Sequence, residues 1–163
     1  MEEFQIQSIK EDDFLAIAET ALKCPPMATE RNSIYHIFAK FFNNTSSVVK
    51  TKDDTIVGFI LGFISQINPQ DAYIHLLCVI PSYRKNGLAR ALVREFLDIV
   101  TRKGCSRVYL ITGPKNNVAI AFYKSMGFEP AGKEDKIEIN GIDAVKDYNG
   151  PGDHKVVFCK PLK

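Results

Sequence analysis

Residues 79–89 read VIPSYRKNGLA and connect a predicted strand to a predicted helix. The strand is predicted over residues 73–80, which are almost continuously apolar, as is typical of a central strand. The helix is predicted over residues 88–102, where apolar side chains recur at helical spacing. Pro81 ends the strand, because proline cannot donate a hydrogen bond to a strand ladder. The stretch therefore predicts a strand, a short loop and an amphipathic helix in succession.

The loop itself has the chemistry of an anion site. The first turn of a helix exposes unpaired backbone N–H groups at the positive end of the helix dipole. Gly87 would let a ligand approach the backbone, and Arg84 and Lys85 would add donors for charged oxygens. A pyrophosphate fits such a loop best. The run matches neither GxxxxGK[ST] nor GxGxxG, and a strand, turn and helix with one glycine is often only a turn.

A second informative run follows at residues 116–128, which read NNVAIAFYKSMGF. Helical spacing puts Ala119, Phe122 and Tyr123 on one face, and Gly127 ends the predicted helix. By itself, a tyrosine at this spacing is typical of a packed core residue.

Together, the two runs resemble the GNAT superfamily of acyl-CoA-dependent N-acetyltransferases. That superfamily has a strand ending in V-x-P, then R/Q-x-x-G-x-G/A, and later N-x-x-A-x-x-F/L-Y-x-x-x-G-F. The matching positions are Val79, Pro81, Arg84, Gly87, Ala89, Asn116, Ala119, Phe122, Tyr123, Gly127 and Phe128. The matching core covers about a third of the chain, and the upstream order of elements fits the same fold.

The resemblance implies where acetyl-CoA would bind as cosubstrate, with no metal. The loop would hold the CoA pyrophosphate, and the pantetheine arm would lie beside the strand, with a backbone N–H near Cys78 or Val79 polarising the thioester carbonyl. Asn116 would hydrogen-bond the pantetheine, and Tyr123 would protonate the departing thiolate. The implied binding residues are Leu77, Cys78, Val79, Arg84, Lys85, Asn86, Gly87, Leu88, Ala89, Asn116, Ala119, Phe122 and Tyr123.

The proton acceptor is predicted from chemistry and position. A lysine-like amine has a pKa of about 10.4 and must lose a proton before it attacks, so a base or a water chain must act. His75 lies on the predicted strand, where alternation puts it on the same face as Leu77 and Val79. A structural histidine satisfied by a neighbour is the alternative. Because alternation puts Cys78 on the opposite face from His75, a cysteine nucleophile is disfavoured.

The order of elements predicts an α/β protein with a mixed, mostly antiparallel sheet flanked by helices and a β-α-β-α-β CoA-binding core. We expect one N-acetyltransferase domain over residues 4–161. Strands are predicted at residues 4–8, 47–51, 55–64, 73–80, 107–112, 133–139 and 155–160. Helices are predicted at residues 14–22, 34–42, 88–102 and 117–126, and a turn region at residues 140–153.

Composition excludes several classes of partner. The 163 residues contain 21 Lys plus Arg and 19 Asp plus Glu, so the net charge of +2 argues against nucleic-acid binding. The sequence contains neither a basic and apolar leader nor a membrane-length apolar run. The cysteines form no CxxC pair and the histidines do not cluster with them, which argues against zinc and a disulfide framework. We expect a cytoplasmic protein with reduced thiols.

The predicted function is acetyl transfer from acetyl-CoA to a primary amine by direct attack in a ternary complex. The alternative is a non-catalytic acyl-CoA-binding or sensing module. In this fold the acceptor would lie near residues 24–31 and 140–153, where Glu30, Asp143, Asp147, Tyr148 and Asp153 could attract a cationic amine or simply be solvated. Small-molecule and peptide or protein amines both stay open, and the resemblance implies that a homodimer is possible.

Overall fold

The structure is a computed structural model that describes residues 7, 10, 12, 15–16, 31–132 and 135–163. The chain divides into two compact units, residues 1–33 and 34–163. The predicted strand at residues 4–8 and the predicted helix at residues 14–22 lie outside the described residues, apart from Gln7 and the helical pair 15–16.

Three α-helices, eight strands and a short 3-10 helix (Pro81–Tyr83) make up the named elements of the described residues. The helices are α1 (Arg31–Phe41), α2 (Leu88–Arg102) and α3 (Asn117–Ser125). The strands are β1 (Ser47–Lys50), β2 (Ile56–Ile64), β3 (Asp71–Val79), β4 (Arg107–Thr112), β5 (Glu129–Pro130), β6 (Lys136–Ile139), β7 (Ile142–Val145) and β8 (Val156–Pro161). The bounds of α2 and β4 are the predicted ones, and most other predicted elements differ by one or two residues.

The main sheet is mixed and mostly antiparallel, which confirms the predicted fold class. Its strand order is β1-β2-β3-β4-β8-β5. Only β3 and β4 run parallel, and α2 makes the crossover between them. The remaining neighbours are antiparallel. The predicted β-α-β-α-β core is therefore β3, α2, β4, α3 and the strands that follow.

Helix α2 covers the central strands with the face that its sequence predicts. Leu92, Val93, Phe96 and Val100 are buried on it. Full burial of such side chains contributes roughly 1.5–3 kcal/mol each. Gly62 on β2 makes the close approach possible, because a Cβ there would collide with the Phe96 ring.

The segment after α3 contains a hairpin that the sequence analysis missed. Residues 140–153 were expected to form a turn region throughout, but β6 and β7 pair as a separate two-stranded antiparallel sheet. Asn140 and Gly141, with φ of 52° and 78°, form the turn between the two strands. This dipeptide adopts left-handed φ values readily, and Ile142, Ala144 and Val145 of β7 are buried. Between β7 and β8, the predicted turn region is therefore confined to residues 146–153.

Candidate active site

Strands β3 and β4 separate part of the way along their length. Their parallel pairing joins Asp71, Ala72 and Tyr73 to residues 107–109. Beyond Tyr73, β3 continues to Val79 without any described pairing to β4. The sheet therefore opens at its centre, and one edge of β3 is free to bind an extended ligand.

The direction of the hydrogen bonds shows which groups face this opening. The N–H of Ile80 donates to the C=O of Val57 on β2 at 2.9 Å. In an antiparallel pair, every second residue points its backbone N–H and C=O groups to the neighbouring strand, so Cys78 does the same as Ile80. Cys78 is paired with Phe59 of β2, whereas Leu77 and Val79 point their N–H and C=O groups away from β2. The free N–H groups therefore come from Leu77 and Val79, and the free C=O group comes from Leu77, because the Val79 C=O accepts from Arg84 Nε. Cys78 does not contribute the backbone partner that was expected of it.

A β-bulge in β3 reverses the alternation of side chains. The pairing with β2 passes from Leu76 to Ile74 and skips His75. Ile74 is buried before the bulge and Val79 after it, so the buried face changes from even-numbered to odd-numbered residues. The prediction that His75 shares a face with Leu77 and Val79 is therefore wrong. The exposed Cys78 lies on the same face as His75, and the prediction that these two side chains face opposite ways is also wrong.

His75 is placed by an aromatic neighbour. Its ring stacks on Phe38 of α1, with 5.2 Å between the ring centroids and 3° between the ring planes. Tyr73 is a second ring neighbour, at a centroid distance of 6.4 Å and with 38° between the ring planes. Partial burial lowers the pKa of His75 below its ordinary value of 6.5. At neutral pH the imidazole is therefore uncharged and can accept a proton.

Tyr73 lies within electrostatic reach of two other tyrosines, Tyr123 and Tyr148. Tyr123 of α3 is buried, and burial raises its pKa to about 12. Burial, followed by the neighbouring hydroxyls of Tyr148 and Tyr123, raises the pKa of Tyr73 to about 12. Tyr73 thus connects His75 with Tyr123 and Tyr148. Sequence reasoning missed Tyr73, although its position two residues before His75 on one strand was a usable signal.

The loop after β3 forms a cradle of backbone donors. The Arg84 Nε atom donates to Val79 C=O at 2.9 Å, which fastens the loop to the end of β3. Gly87 is the N-cap of α2 with φ of 75°, a left-handed conformation that glycine adopts at no steric cost. The helical ladder begins with Ala91 N–H donating to Gly87 C=O at 2.9 Å, so the N–H groups of residues 88–90 precede it.

A cavity of about 220 Å³ lies against this cradle. It is lined by Val79, Arg84, Lys85, Gly87, Leu88, Ala89, Arg90 and Phe122. Two lining residues, Val79 and Phe122, belong to β3 and α3, so the cavity lies at the end of the free edge of β3. Basic side chains and free N–H groups suit a pyrophosphate, and the free edge of β3 suits the amides of a pantetheine arm. The described residues therefore fit CoA.

Asn116 has a local structural role. Its side-chain oxygen Oδ1 accepts the Ala119 N–H at 3.2 Å and caps α3. The Nδ2 amide group remains a donor, so capping is compatible with the predicted contact to pantetheine.

The carboxylates predicted for the acceptor side have partners within the fold. Asp147 Oδ1 accepts the Gly152 N–H at 2.8 Å. Asp153 pairs with Lys155 at 2.8 Å, and the exposed Asp143 lies 3.9 Å from Lys136. Glu30 lies outside the described residues. These described carboxylates are thus engaged in structural contacts, whereas His75 and Tyr73 lie on β3, the strand that borders the opening.

The described part of the chain lacks the features of a metal centre and of a membrane-spanning helix. Within it, no group of three or more His, Cys, Asp or Glu side chains is arranged to hold a metal ion. No helix in the same residues has the length and apolar character needed to cross a membrane.

Relatives with curated names match parts of the chain. N-alpha-acetyltransferase RimI of Mycobacterium tuberculosis is 33% identical over 101 residues, which is 61% of this chain and 62% of that protein. The [ribosomal protein bS18]-alanine N-acetyltransferase of Escherichia coli is 34% identical over 68 residues, or 42% of this chain and 46% of that protein. The chain thus spans roughly half the length of these relatives.

Solved structures share the fold over nearly the whole chain. Ard1 from Thermoplasma volcanium has a TM-score of 0.66 at 19% identity and covers 96% of both chains. Naa20 from Chaetomium thermophilum, in complex with a bisubstrate analogue, has a TM-score of 0.65 at 21% identity over 98% of this chain and 87% of that one. The profile of the Acetyltransferase (GNAT) family matches residues 14–128. The chain belongs to the Acetyltransferase (GNAT) family.

Proposed function

We propose that this protein transfers an acetyl group from acetyl-CoA to a primary amine, by direct attack of the amine within a ternary complex. The observation that carries the proposal is the free edge of β3 at Leu77 and Val79, which leads into the cradle at residues 84–90. Family membership and the names of the relatives support an acyltransferase enzyme.

The cosubstrate would be held mainly by backbone groups. The N–H groups of residues 88–90, together with Lys85 and Arg84, would bind the pyrophosphate. Leu77 and Val79 would pair with the pantetheine amides, and the Nδ2 group of Asn116 would donate to the same arm. Bound acetyl-CoA would supply the acetyl group as an activated thioester. An N–H at the free edge would donate to the thioester carbonyl, as an oxyanion-hole group does.

Tyr123 is proposed to act at the sulfur of the leaving thiolate. Its pKa of about 12 keeps the hydroxyl protonated throughout the physiological range. An ordinary thiol has a pKa of about 8.5, so the thiol is a stronger acid than the Tyr123 hydroxyl. Tyr123 would therefore stabilise the thiolate by donating a hydrogen bond, and it would pass a proton on only when another group replaces that proton. Tyr73 would act as that group by relaying the proton that the attacking nitrogen loses, so that both hydroxyls end the reaction protonated.

His75 is proposed as the proton acceptor on the amine side. Because its pKa is lowered, the imidazole is neutral when the acceptor approaches. An amine that arrives as an ammonium ion would lose one proton to His75, and that proton would pass to solvent. In the transfer itself, the C–N bond forms, the C–S bond breaks, and a proton lost by nitrogen ends on sulfur. The stacked Phe38 ring fixes the imidazole orientation, which favours the reaction by positioning.

A non-catalytic acyl-CoA-binding module is the alternative. The cradle and the free edge would serve such a module equally well. The grouping of Tyr73, Tyr123 and His75 favours the enzyme, because binding CoA requires neither a donor near its sulfur nor a proton acceptor on the far side.

The acceptor is proposed as a primary amine of unspecified size. The relatives' names include a ribosomal-protein alanine acetyltransferase and an L-2,4-diaminobutyric acid acetyltransferase. Both a peptide N-terminus and a small diamine therefore belong in any substrate panel, beside lysine peptides, polyamines and amino acids.

The test is release of free thiol from acetyl-CoA in the presence of that panel, with wild type and Tyr123→Phe side by side. We expect release with one class of acceptor and its loss in the variant. Stabilisation by CoA in a thermal-shift assay, without release for any acceptor, would favour the binding module. Failure of CoA to stabilise the wild-type protein would contradict both functions.

A further inference from the structure

The loop between β7 and β8 is closed by two side chains. The backbone N–H of Asp147 donates to Nδ1 of His154 at 2.9 Å. Asp147 Oδ1 in turn accepts the Gly152 N–H at 2.8 Å and lies 3.5 Å from His154 Nδ1. We call Asp147 and His154 the latch, because these contacts tie the start of the loop to its end.

The backbone within the loop supports the latch. Gly150 N–H donates to Asp147 C=O at 3.0 Å, and Asn149 N–H donates to Asp153 C=O at 3.2 Å. Asp147 itself has φ of 52°, a left-handed conformation that is unfavourable for a residue with a side chain. The contacts around it must therefore stabilise this conformation, and the conformation fixes the direction of the chain at the next residue.

That next residue is Tyr148, which lies near Tyr73 of β3. Its hydroxyl is one of the groups that raise the pKa of Tyr73, so the two side chains lie close enough to interact electrostatically. Tyr73 in turn interacts with Tyr123 and lies beside His75. Tyr148 is thus the group that the late loop contributes to the side of the sheet where an acceptor amine would meet the acetyl group.

We propose that the latch is a positioning device for the acceptor side: hydrogen bonding between His154 and Asp147 holds Tyr148 in place, and amine binding depends on it. The inference rests on the proposed acetyl transfer. Asp147 and His154 are positioning residues, since they act through Tyr148. The cradle for the cosubstrate lies on other elements, β3 and α2, so the latch should leave acetyl-CoA binding unchanged.

The experiment compares His154→Leu with His154→Asn. Asparagine can place its Oδ1 where histidine places Nδ1 and accept the same N–H, whereas leucine cannot. Lys155→Gln is the matched control, because it removes the 2.8 Å ion pair with Asp153 on the same loop and leaves the latch intact. For each protein, the KM values for acceptor and acetyl-CoA are measured together with amide hydrogen exchange over residues 146–155.

We expect His154→Leu to raise the acceptor KM at least fivefold, with the acetyl-CoA KM within twofold of wild type and faster exchange in the loop. For His154→Asn and Lys155→Gln, the acceptor KM, the acetyl-CoA KM and the exchange rate of the loop should all stay within twofold of wild type. An unchanged acceptor KM in His154→Leu, or unchanged loop exchange, would overturn the inference. An increase in both KM values together would also overturn it, as a general folding defect. Wild type that transfers acetyl to no amine would instead overturn the proposed function, and the exchange measurement would still decide whether the latch holds the loop.

Discussion

The cosubstrate side and the acceptor side of this centre are built differently. The cosubstrate side uses backbone groups of one continuous stretch, from Leu77 to Arg90, which contains the free edge of β3 and the cradle. Its shape follows from a proline, a glycine and the start of a helix. The acceptor side uses side chains that converge from β3, α3 and the loop before β8. We infer that the first half is determined locally and tolerates side-chain changes, whereas the second depends on individual side chains held by tertiary contacts.

The largest loss of activity should come from a change on the acceptor side, which depends on individual side chains. Tyr123→Phe removes the donor near the sulfur, and we expect kcat to fall by about 100-fold, as for loss of a general acid. The acetyl-CoA KM should stay within twofold of wild type. Tyr109→Phe, the same chemical change at a tyrosine of β4, serves as control and should leave kcat unchanged. Steady-state kinetics measures both, and an equal kcat for Tyr123→Phe and wild type would contradict the role.

His75→Gln should lower kcat/KM by about tenfold and also change its pH dependence. The neutral imidazole is the active form, so the wild-type rate should rise with pH through a pKa below 6.5, because burial disfavours the charged form. The variant should lack this rise. His36→Gln, on the exposed side of α1, is the control. A rising limb that survives in His75→Gln would assign proton removal to water or another group.

Changes in the cradle should weaken acetyl-CoA binding and leave acceptor binding unchanged. Gly87→Ala puts a side chain at φ of 75°, which costs about 1 kcal/mol or more in a left-handed conformation and should weaken acetyl-CoA binding about fivefold. Gly104→Ala has the same kind of strain, at φ of 90°, at the other end of α2. It should lower thermal stability comparably without altering the titration of acetyl-CoA. Equal affinity in Gly87→Ala and wild type would argue against the cradle.

The smallest change in KM is expected at Asn116, where two substitutions distinguish helix capping from ligand binding. Asn116→Ala should lower the stability by about 1 kcal/mol through loss of the α3 cap, or roughly 2–4 °C in Tm. Asn116→Ser retains a capping oxygen but lacks the amide donor, so its Tm should stay near that of wild type while the acetyl-CoA KM rises about threefold. A serine variant with unchanged KM would leave Asn116 with a purely structural role.

The same division explains what the sequence could predict. The cradle, α2 and β4 were predictable because proline, glycine and helical spacing act over a few residues. The bulge at His75 was not predictable from the sequence. It depends on the register of β3 with β2, and it leaves the apolar pattern of residues 73–80 intact. The hairpin at Asn140 and Gly141 carried a readable turn signal, which the glycines and proline at residues 149–152 obscured.

The position of Tyr73 shows the limit most clearly. Alternation along one strand links it to His75, but its relation to Tyr123 and Tyr148 depends on how α3 and the last loop fold back. The partners of Asp147 and Asp153, which lie within their own loop, were equally unreadable from the sequence pattern. Contacts between distant segments determine these roles, and a local pattern does not contain them.

The central claim is direct attack of the amine while acetyl-CoA is bound. The bulge puts the exposed Cys78 on the same face as His75, so transfer through a cysteine thioester is the mechanism to test against. Initial velocities measured over a grid of acetyl-CoA and acceptor concentrations distinguish the two most directly. Our account predicts double-reciprocal lines that intersect, as a ternary complex requires. Parallel lines for the wild-type protein, together with loss of activity in Cys78→Ala, would contradict direct attack.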